Sequence, residues 1–428
     1  MSVDATPAVI AALALCLGLL CISGCMSAAA QAQTVTPPML PVTGASLLAS
    51  DGQLLWSENG YGHLAIASTT KLMTFLVVMQ HEHNLHLVLT QNDWVPAADD
   101  SQIGLQPGEQ MTVLSLLYAM MLPSADDAAE DLAYNFGGGS VRRFVAWMNA
   151  DARRLGLAAT HYSTPIGLDT PGNYSSPDDL VRLASYLVHR YRIFRRIVDT
   201  YSLTVWNVGH TQPFHLVNTD DLIARYRWIV GVKTGHTTDA GYVLVSEGAR
   251  DHLTLFASVL GTTSQGERDQ SALTLLDWGF KNFHETTPVR RGEVFARRLV
   301  AYESRPARIV AARSFRTVLP RTVKVRIVVG HLRKLLPPMR AHTAVGYVQV
   351  EVSGHRVARV RLLLQRALPS VPEIKKIMHK LTRPTTLLLL VVLVSVGSLV
   401  TGIRRRRRHL RRQRERRAGR RAERQWEQ

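Results

Sequence analysis

The sequence predicts an α+β protein: an antiparallel sheet flanked by helices, then a small β-rich module, then one helix able to cross a membrane. Three observations lead there. Strand-like runs at residues 45–56, read as a hairpin, and at 242–245 and 253–260, read as partners in an antiparallel sheet, stand on either side of a middle rich in helical patterns. Between residues 286 and 368, Val alternates with Arg or Lys, most clearly at 322–329, which is the pattern of half-exposed strands. Residues 385–403 carry no charge. As a helix they would span about 28 Å, close to a bilayer core.

From the N-terminus, residues 1–32 read as an export signal: an apolar stretch, then small residues, with Ala30-Gln31-Ala32 suited to cleavage. Ile22-Ser23-Gly24-Cys25 also resembles a lipobox, with Cys25 as the lipid-bearing residue. Cys16, Cys21 and Cys25 are all the cysteines there are, so a chain cut after Ala32 could form no disulfide. Residues 33–41 are a Pro- and Thr-rich linker. Residues 45–50 and 53–56 then form a hairpin, with Asp51-Gly52 as a two-residue turn.

Ser68 and Lys71 stand three apart at the head of an apolar run, Leu72, Met73, Phe75, Leu76, Val77 and Val78, which has the pattern of a buried helix. Helical positions i and i+3 share a face. The Lys71 amine therefore comes within reach of the Ser68 hydroxyl and could take its proton. Residues 101–109 are a turn-rich loop, and 112–122 a second apolar helix stopped by Pro123. Ser124-Ala125-Asp126 precedes an Ala-rich run and on its own reads as a helix N-cap. A longer helix carries Trp147, Met148 and Leu155, and residues 163–169 are a loop. Lys233-Thr234-Gly235 closes a strand that begins at Val230, with the glycine as a turn.

Each of these motifs is weak alone, and their order makes them specific. Ser68/Lys71, Ser124/Asp126 and Lys233/Thr234/Gly235 form the S-x-x-K, S-x-N-like and K-T-G set of penicillin-binding proteins and class A β-lactamases. The wider segments 67–74, 104–113, 124–132, 160–180, 218–222 and 231–242 resemble the low-molecular-weight D-alanyl-D-alanine carboxypeptidases, and the similarity covers most of residues 40–283. The resemblance implies a β-lactamase/transpeptidase-like catalytic domain at 42–283 and a β-rich domain at 284–368.

It also implies roles. Ser68 attacks the carbonyl between the two D-alanines of a peptidoglycan stem peptide, with Lys71 as general base, and β-lactam antibiotics acylate the same serine. Ser124 and Lys233 form a second hydrogen-bonded arm to the leaving amine. The backbone N–H groups of Ser68 and His236 make the oxyanion hole, and Lys233, Thr234 and Arg268 hold the terminal carboxylate. No cofactor and no metal is expected, and His81, His83 and His86 read as surface residues. The chain departs from the family in one place: Asp126 stands where the family has Asn. A carboxylate only accepts hydrogen bonds, and Asp126 should favour the charged form of a neighbouring lysine. That departure keeps a non-catalytic wall-binding protein among the alternatives, beside a β-lactamase or esterase on the same scaffold.

The formal net charge of +18 suggests nucleic acid, but residues 404–428 alone hold 13 Arg against 3 Glu. The remainder is mildly basic, with no aromatic-interleaved patch of the kind that binds single strands. Arg404–Arg408 directly after the apolar run mark a cytoplasmic end. The expectation is a single-pass bacterial membrane protein with its catalytic domain outside and an Arg-rich tail inside.

Overall fold

The computed structural model describes residues 35–381 and 384–426. The export signal expected over residues 1–32, its lipobox at Cys25, and Cys16 and Cys21 all lie outside the described residues. The chain divides into two compact units, Met1–Thr286 with Arg316–Lys324, and Thr287–Phe315 with Val325–Gln428.

In the first unit the strands are β1 (Gly44–Ala49), β2 (Leu54–Glu58), two small ribbons β3 (Val88–Thr90) with β4 (Gln110–Thr112) and β5 (Ser202–Trp206) with β6 (Pro213–Val217), then β7 (Ile229–Thr237), β8 (Gly241–Arg250) and β9 (Leu253–Thr262). The main sheet has the order β2-β1-β9-β8-β7, and every neighbouring pair is antiparallel. The pairing of β8 with β9 is the one the alternating runs predicted, and the structure adds that β1 of the first hairpin joins the same sheet beside β9.

Alternate residues of a strand face opposite sides, and here each side has its own core. Leu253, Leu255, Ala257 and Val259 pack with Leu275 and Leu276 of the helix Gln265–Asn282. Phe256 and Leu260 face the larger core, built on the helix Lys71–His81. That helix buries nine residues in succession, Lys71 through Met79. It is apolar all round because helices surround it, and Phe75 meets Phe194 edge-on at 4.8 Å.

Sequence signals set the helix starts. Thr112, Ser140, Ser176 and Ser264 each accept a backbone N–H three residues on, capping the helices Val113–Met121, Val141–Leu155, Pro177–Arg190 and Gln265–Asn282. The first hairpin differs from expectation. Gly52 N–H donates to Ala49 O and Ala49 N–H to Gln53 O, so the turn holds Ser50, Asp51 and Gly52. Of these only Gly52 has positive φ, at 86°, which makes it a three-residue loop with glycine at the left-handed position.

In the second unit, the strands β10 (Phe283–Val289) and β13 (Phe315–Pro320) run through its boundaries, and β11 (Val294–Leu299), β12 (Pro306–Ala311), β14 (Val325–Val329), β15 (Ala344–Val352) and β16 (His355–Leu364) form a sheet of order β11-β12-β16-β15-β14. Val345, Val348, Val350, Val360, Leu362 and Leu364 fill its core. The strand expected over 322–329 starts only at Val325, because Val323 N–H turns back to Pro320 O. After a short helix, Glu373–Leu381, the helix Pro384–Trp426 carries the uncharged run. Its segment Leu387–Arg416 is long and apolar enough to cross a membrane, and none of its apolar window is buried.

Candidate active site

Ser68 lies on a 3-10 turn, Ala67–Thr70, that leads straight into the helix Lys71–His81. Side chains at i and i+3 eclipse in a 3-10 turn, and Lys71 Nζ donates to Ser68 Oγ at 2.8 Å. Its other two partners are Asp126 Oδ1 at 2.5 Å and Ile166 O at 2.9 Å. All three donors of the lysine are used, and its side chain is fully buried.

Ile166 is held in place by its loop. Thr74 Oγ1 donates to Pro165 O at 2.6 Å, and Thr164 Oγ1 accepts from Ile166 and Gly167 N–H. Gly167 has φ 98°, and a Cβ there would lie 2.0 Å from Ala67 O, so only glycine lets this loop approach the serine turn.

Burial removes water from Lys71 and pushes its pKa below the ordinary lysine value, against the opposing pull of Asp126. The same loss of water raises Asp126, against the pull of Lys71. The expectation that Asp126 keeps a lysine charged is therefore only half right. The attraction is present, and desolvation outweighs it for both partners.

Ser124 is not the N-cap that the sequence suggested. The helix is Asp126–Phe136, Ala125 is its cap residue, and no side chain caps it. Ser124 instead sits at φ 68°, a conformation that costs a non-glycine residue energy and that clusters at functional sites. Its Oγ is buried without a partner among the described residues.

Lys233, on β7, is also buried and donates to Thr234 O at 3.0 Å. Desolvation lowers it well below the usual lysine value, and the charge of Lys71 adds to the effect. The hydrogen bond expected between Ser124 and Lys233 is thus not made: one side chain turns to its own strand and the other has no partner.

The K-T-G glycine is no turn either. Gly235 stays inside β7, where a Cβ would sit 2.9 Å from both Ala67 Cβ and Ser68 N. It is glycine so that strand and serine turn can touch. This brings β7, with His236 next in line, against the Ser68 backbone. His236 is exposed and its ring lies 4.1 Å from that of Tyr242. Thr234 Oγ1 meets Thr219 Oγ1 at 2.6 Å. Arg268, on the helix Gln265–Asn282, is buried and donates from Nε to Asp269 Oδ1 at 2.8 Å. Its charge reaches Lys233.

Two contributors escaped the sequence reading. Thr219 lies in the family-like segment 218–222 but in none of the three motifs, and it positions Thr234. Asp127 accepts backbone N–H bonds from Gly104 and Leu105 at 2.9 and 3.0 Å, which fixes the loop over residues 101–109. Asp126 N–H also donates to Ser101 O at 2.7 Å. An acid just inside a helix start would normally be read as a capping group. Among the described residues no group of three or more His, Cys, Asp or Glu is placed to hold a metal ion. His81 lies stacked on Trp147 at 4.1 Å.

The arrangement is a serine hydroxyl on a buried amine, walled by a strand edge and a strained second serine, which suits attack on a carbonyl. Comparison with known proteins agrees. The family model for D-alanyl-D-alanine carboxypeptidase (Peptidase_S11) matches residues 33–264. A D-alanyl-D-alanine carboxypeptidase of Streptomyces sp. (strain K15) is 34% identical over 277 residues, 61% of this chain and 95% of that protein. The crystal structure of penicillin binding protein 5 from Haemophilus influenzae is similar with TM-score 0.64 and 25% identity, over 79% of this chain and 100% of that one. The Streptomyces K15 DD-transpeptidase structure gives TM-score 0.55 and 35% identity, over 58% and 100%.

Proposed function

The chain belongs to the D-alanyl-D-alanine carboxypeptidase family and is a serine-type hydrolase of that activity, and we propose that Ser68 is its nucleophile and Lys71 its general base. The observation that carries the assignment is Lys71 Nζ, fully buried, at 2.8 Å from Ser68 Oγ. The substrate is a peptidoglycan stem peptide ending in D-Ala-D-Ala.

Ser68 Oγ attacks the carbonyl between the two D-alanines as Lys71 takes its proton. The oxyanion is met by the N–H groups of Ser68 and His236, each such donor contributing about 3–4 kcal/mol to the barrier reduction. Lys233, Thr234 and Arg268 face the terminal carboxylate, with Thr219 fixing the Thr234 hydroxyl. Lys71 then returns that proton by way of Ser124: the unpartnered Ser124 hydroxyl gives its own proton to the departing D-alanine nitrogen and takes the lysine's, so both side chains end as they began. Water then releases the acyl group, and Lys71 again takes the proton.

Asp126 fits this scheme in its neutral form. Burial raises it and lowers Lys71, which brings the two groups closer in their hold on a proton. A protonated carboxyl both donates and accepts, as the amide of Asn does. The two groups titrate as a pair. Asp126→Asn should therefore keep or raise kcat/KM for D-alanine release from an acyl-D-Ala-D-Ala peptide. The rising limb of its pH profile should stay where it is in the wild type, because an uncharged amide replaces an acid that is uncharged in the active form; a limb moved to lower pH would show that Asp126 works as a charged carboxylate that holds Lys71 protonated. Loss of activity at every pH would show that the acid has a role of its own. Absence of D-alanine release by the wild type would defeat the functional assignment.

The helix Pro384–Trp426 supports a single-pass anchor, with the catalytic domain outside and the Arg-rich tail inside. Protease added to intact protoplasts should then remove the catalytic domain and spare an epitope at the C-terminus. An epitope lost under those conditions would reverse the orientation.

A further inference from the structure

The charge of the chain is divided more sharply than its total suggests. Residues 1–283 hold 16 Lys and Arg against 25 Asp and Glu, while residues 284–368 hold 18 against 4. The second unit's sheet is therefore intensely basic, whereas the catalytic part is acidic. Within that sheet Arg297 of β11 stands directly opposite Arg308 of β12. Like charges in that position destabilise a sheet unless something neutralises them. Both are exposed, as are Arg298, Arg333 and Lys334.

Four of these residues border one cleft. Arg297, Arg298, Arg333 and Lys334 line a cleft of about 930 Å³ together with Lys375 of the helix Glu373–Leu381. The acid on its wall, Glu303, is taken by Lys375 at 3.3 Å. Arg297, Arg298, Arg333 and Lys334 form no ion pair among the described residues. The helix that closes the cleft stops three residues before Pro384, where the long apolar helix begins. The helical stretches 375–381 and 384–387 rise about 9 and about 4.5 Å, and the three steps between them reach at most about 11 Å, so the cleft is tethered within about 25 Å of the apolar segment and of any bilayer it crosses.

We propose that this cleft binds the phosphate headgroup of an anionic phospholipid. Arginine forks match phosphate oxygens two at a time, and basic residues held near an anionic leaflet add to one another. The site would fix the height and tilt of the second unit over the membrane, which a single helix alone leaves free. This rests on the membrane-anchored reading given above.

The test uses the full chain in neutral detergent, with lipid adducts counted by native mass spectrometry. Phosphatidylglycerol should be retained at concentrations at least about tenfold lower than phosphatidylcholine, as expected for several near-surface charges. The quadruple variant Arg297→Gln/Arg298→Gln/Arg333→Gln/Lys334→Gln should lose that preference while still reacting with labelled penicillin, which reports its folding. The double variant Arg297→Gln/Arg333→Gln, which disturbs less, should lose part of it. Changing Arg404 to Arg408 to Gln should leave it intact. Phosphatidylglycerol held equally by the quadruple variant, or lost only in the tail variant, would overturn the proposal. Complete displacement by inorganic phosphate would instead assign the cleft to free phosphate. Alkaline extraction of membranes checks the anchor separately, so a failed anchor and a failed lipid site give different results.

Discussion

Replacing Lys71 by methionine should slow acylation of Ser68 by labelled penicillin by about 10²–10⁴-fold, the range that a positioned general base contributes. Methionine keeps the length and apolar stem of the side chain, so the buried helix Lys71–His81 loses little packing. What disappears is the one amine within hydrogen-bond reach of Ser68 Oγ among the described contacts. Lys233 cannot replace it, since its Nζ turns to Thr234 O. Asp126 loses the partner that pulls its pKa down, so it keeps its proton and leaves no buried charge behind. The lost bonds to Asp126 and Ile166 should cost about 1–3 kcal/mol of stability. Stopped-flow acylation beside a thermal melt separates the two effects. A rate within tenfold of the wild type in a folded variant would remove Lys71 from the role of base.

Much of this site was legible in the chain because its chemistry is local. Ser68 and Lys71 lie one turn apart, and any helical continuation of that apolar run brings them together. Ser124/Asp126 and Lys233-Thr234-Gly235 were recognisable by order. Their conformations were not. Gly235 reads as a turn because glycine commonly is one, whereas here its missing Cβ makes room for Ser68 N on a segment more than 160 positions earlier in the chain. Ser124 reads as a cap because serine before an Ala-rich helix commonly is one. Tertiary contacts hold it at positive φ instead, and Ala125 takes the cap position. Thr219 and Asp127 fall in segments that resemble the family, but they act through partners distant in sequence, Thr234 and the loop over residues 101–109, so their roles do not show in their own surroundings along the chain.

The fold followed the same division. Alternating apolar runs identified β8 and β9, because that signal sits within the residues it specifies. The three-residue turn at Ser50-Asp51-Gly52 and the late start of β14 depended on single backbone hydrogen bonds that several nearby registers could satisfy. Charge was misjudged for another reason. Averaging the chain beyond its tail let an acidic catalytic part mask a strongly basic second unit.

The covalent step is where the account can be tested most directly. A β-lactam carbonyl presents to Ser68 the same acyl transfer as the D-alanyl bond. Its ring-opened product keeps the leaving group attached, so the acyl-enzyme persists long enough to weigh. Ser68→Ala removes the oxygen assigned to that bond and leaves the 3-10 turn, Lys71 and β7 in place. Incubation with benzylpenicillin, followed by intact-mass analysis and peptide mapping, should give one adduct per chain of the wild type, located on the peptide that contains Ser68. Ser68→Ala should give none. An adduct of the same mass that persists in Ser68→Ala, or one mapped to Ser124 in the wild type, would contradict the assignment of the nucleophile and the mechanism built on it.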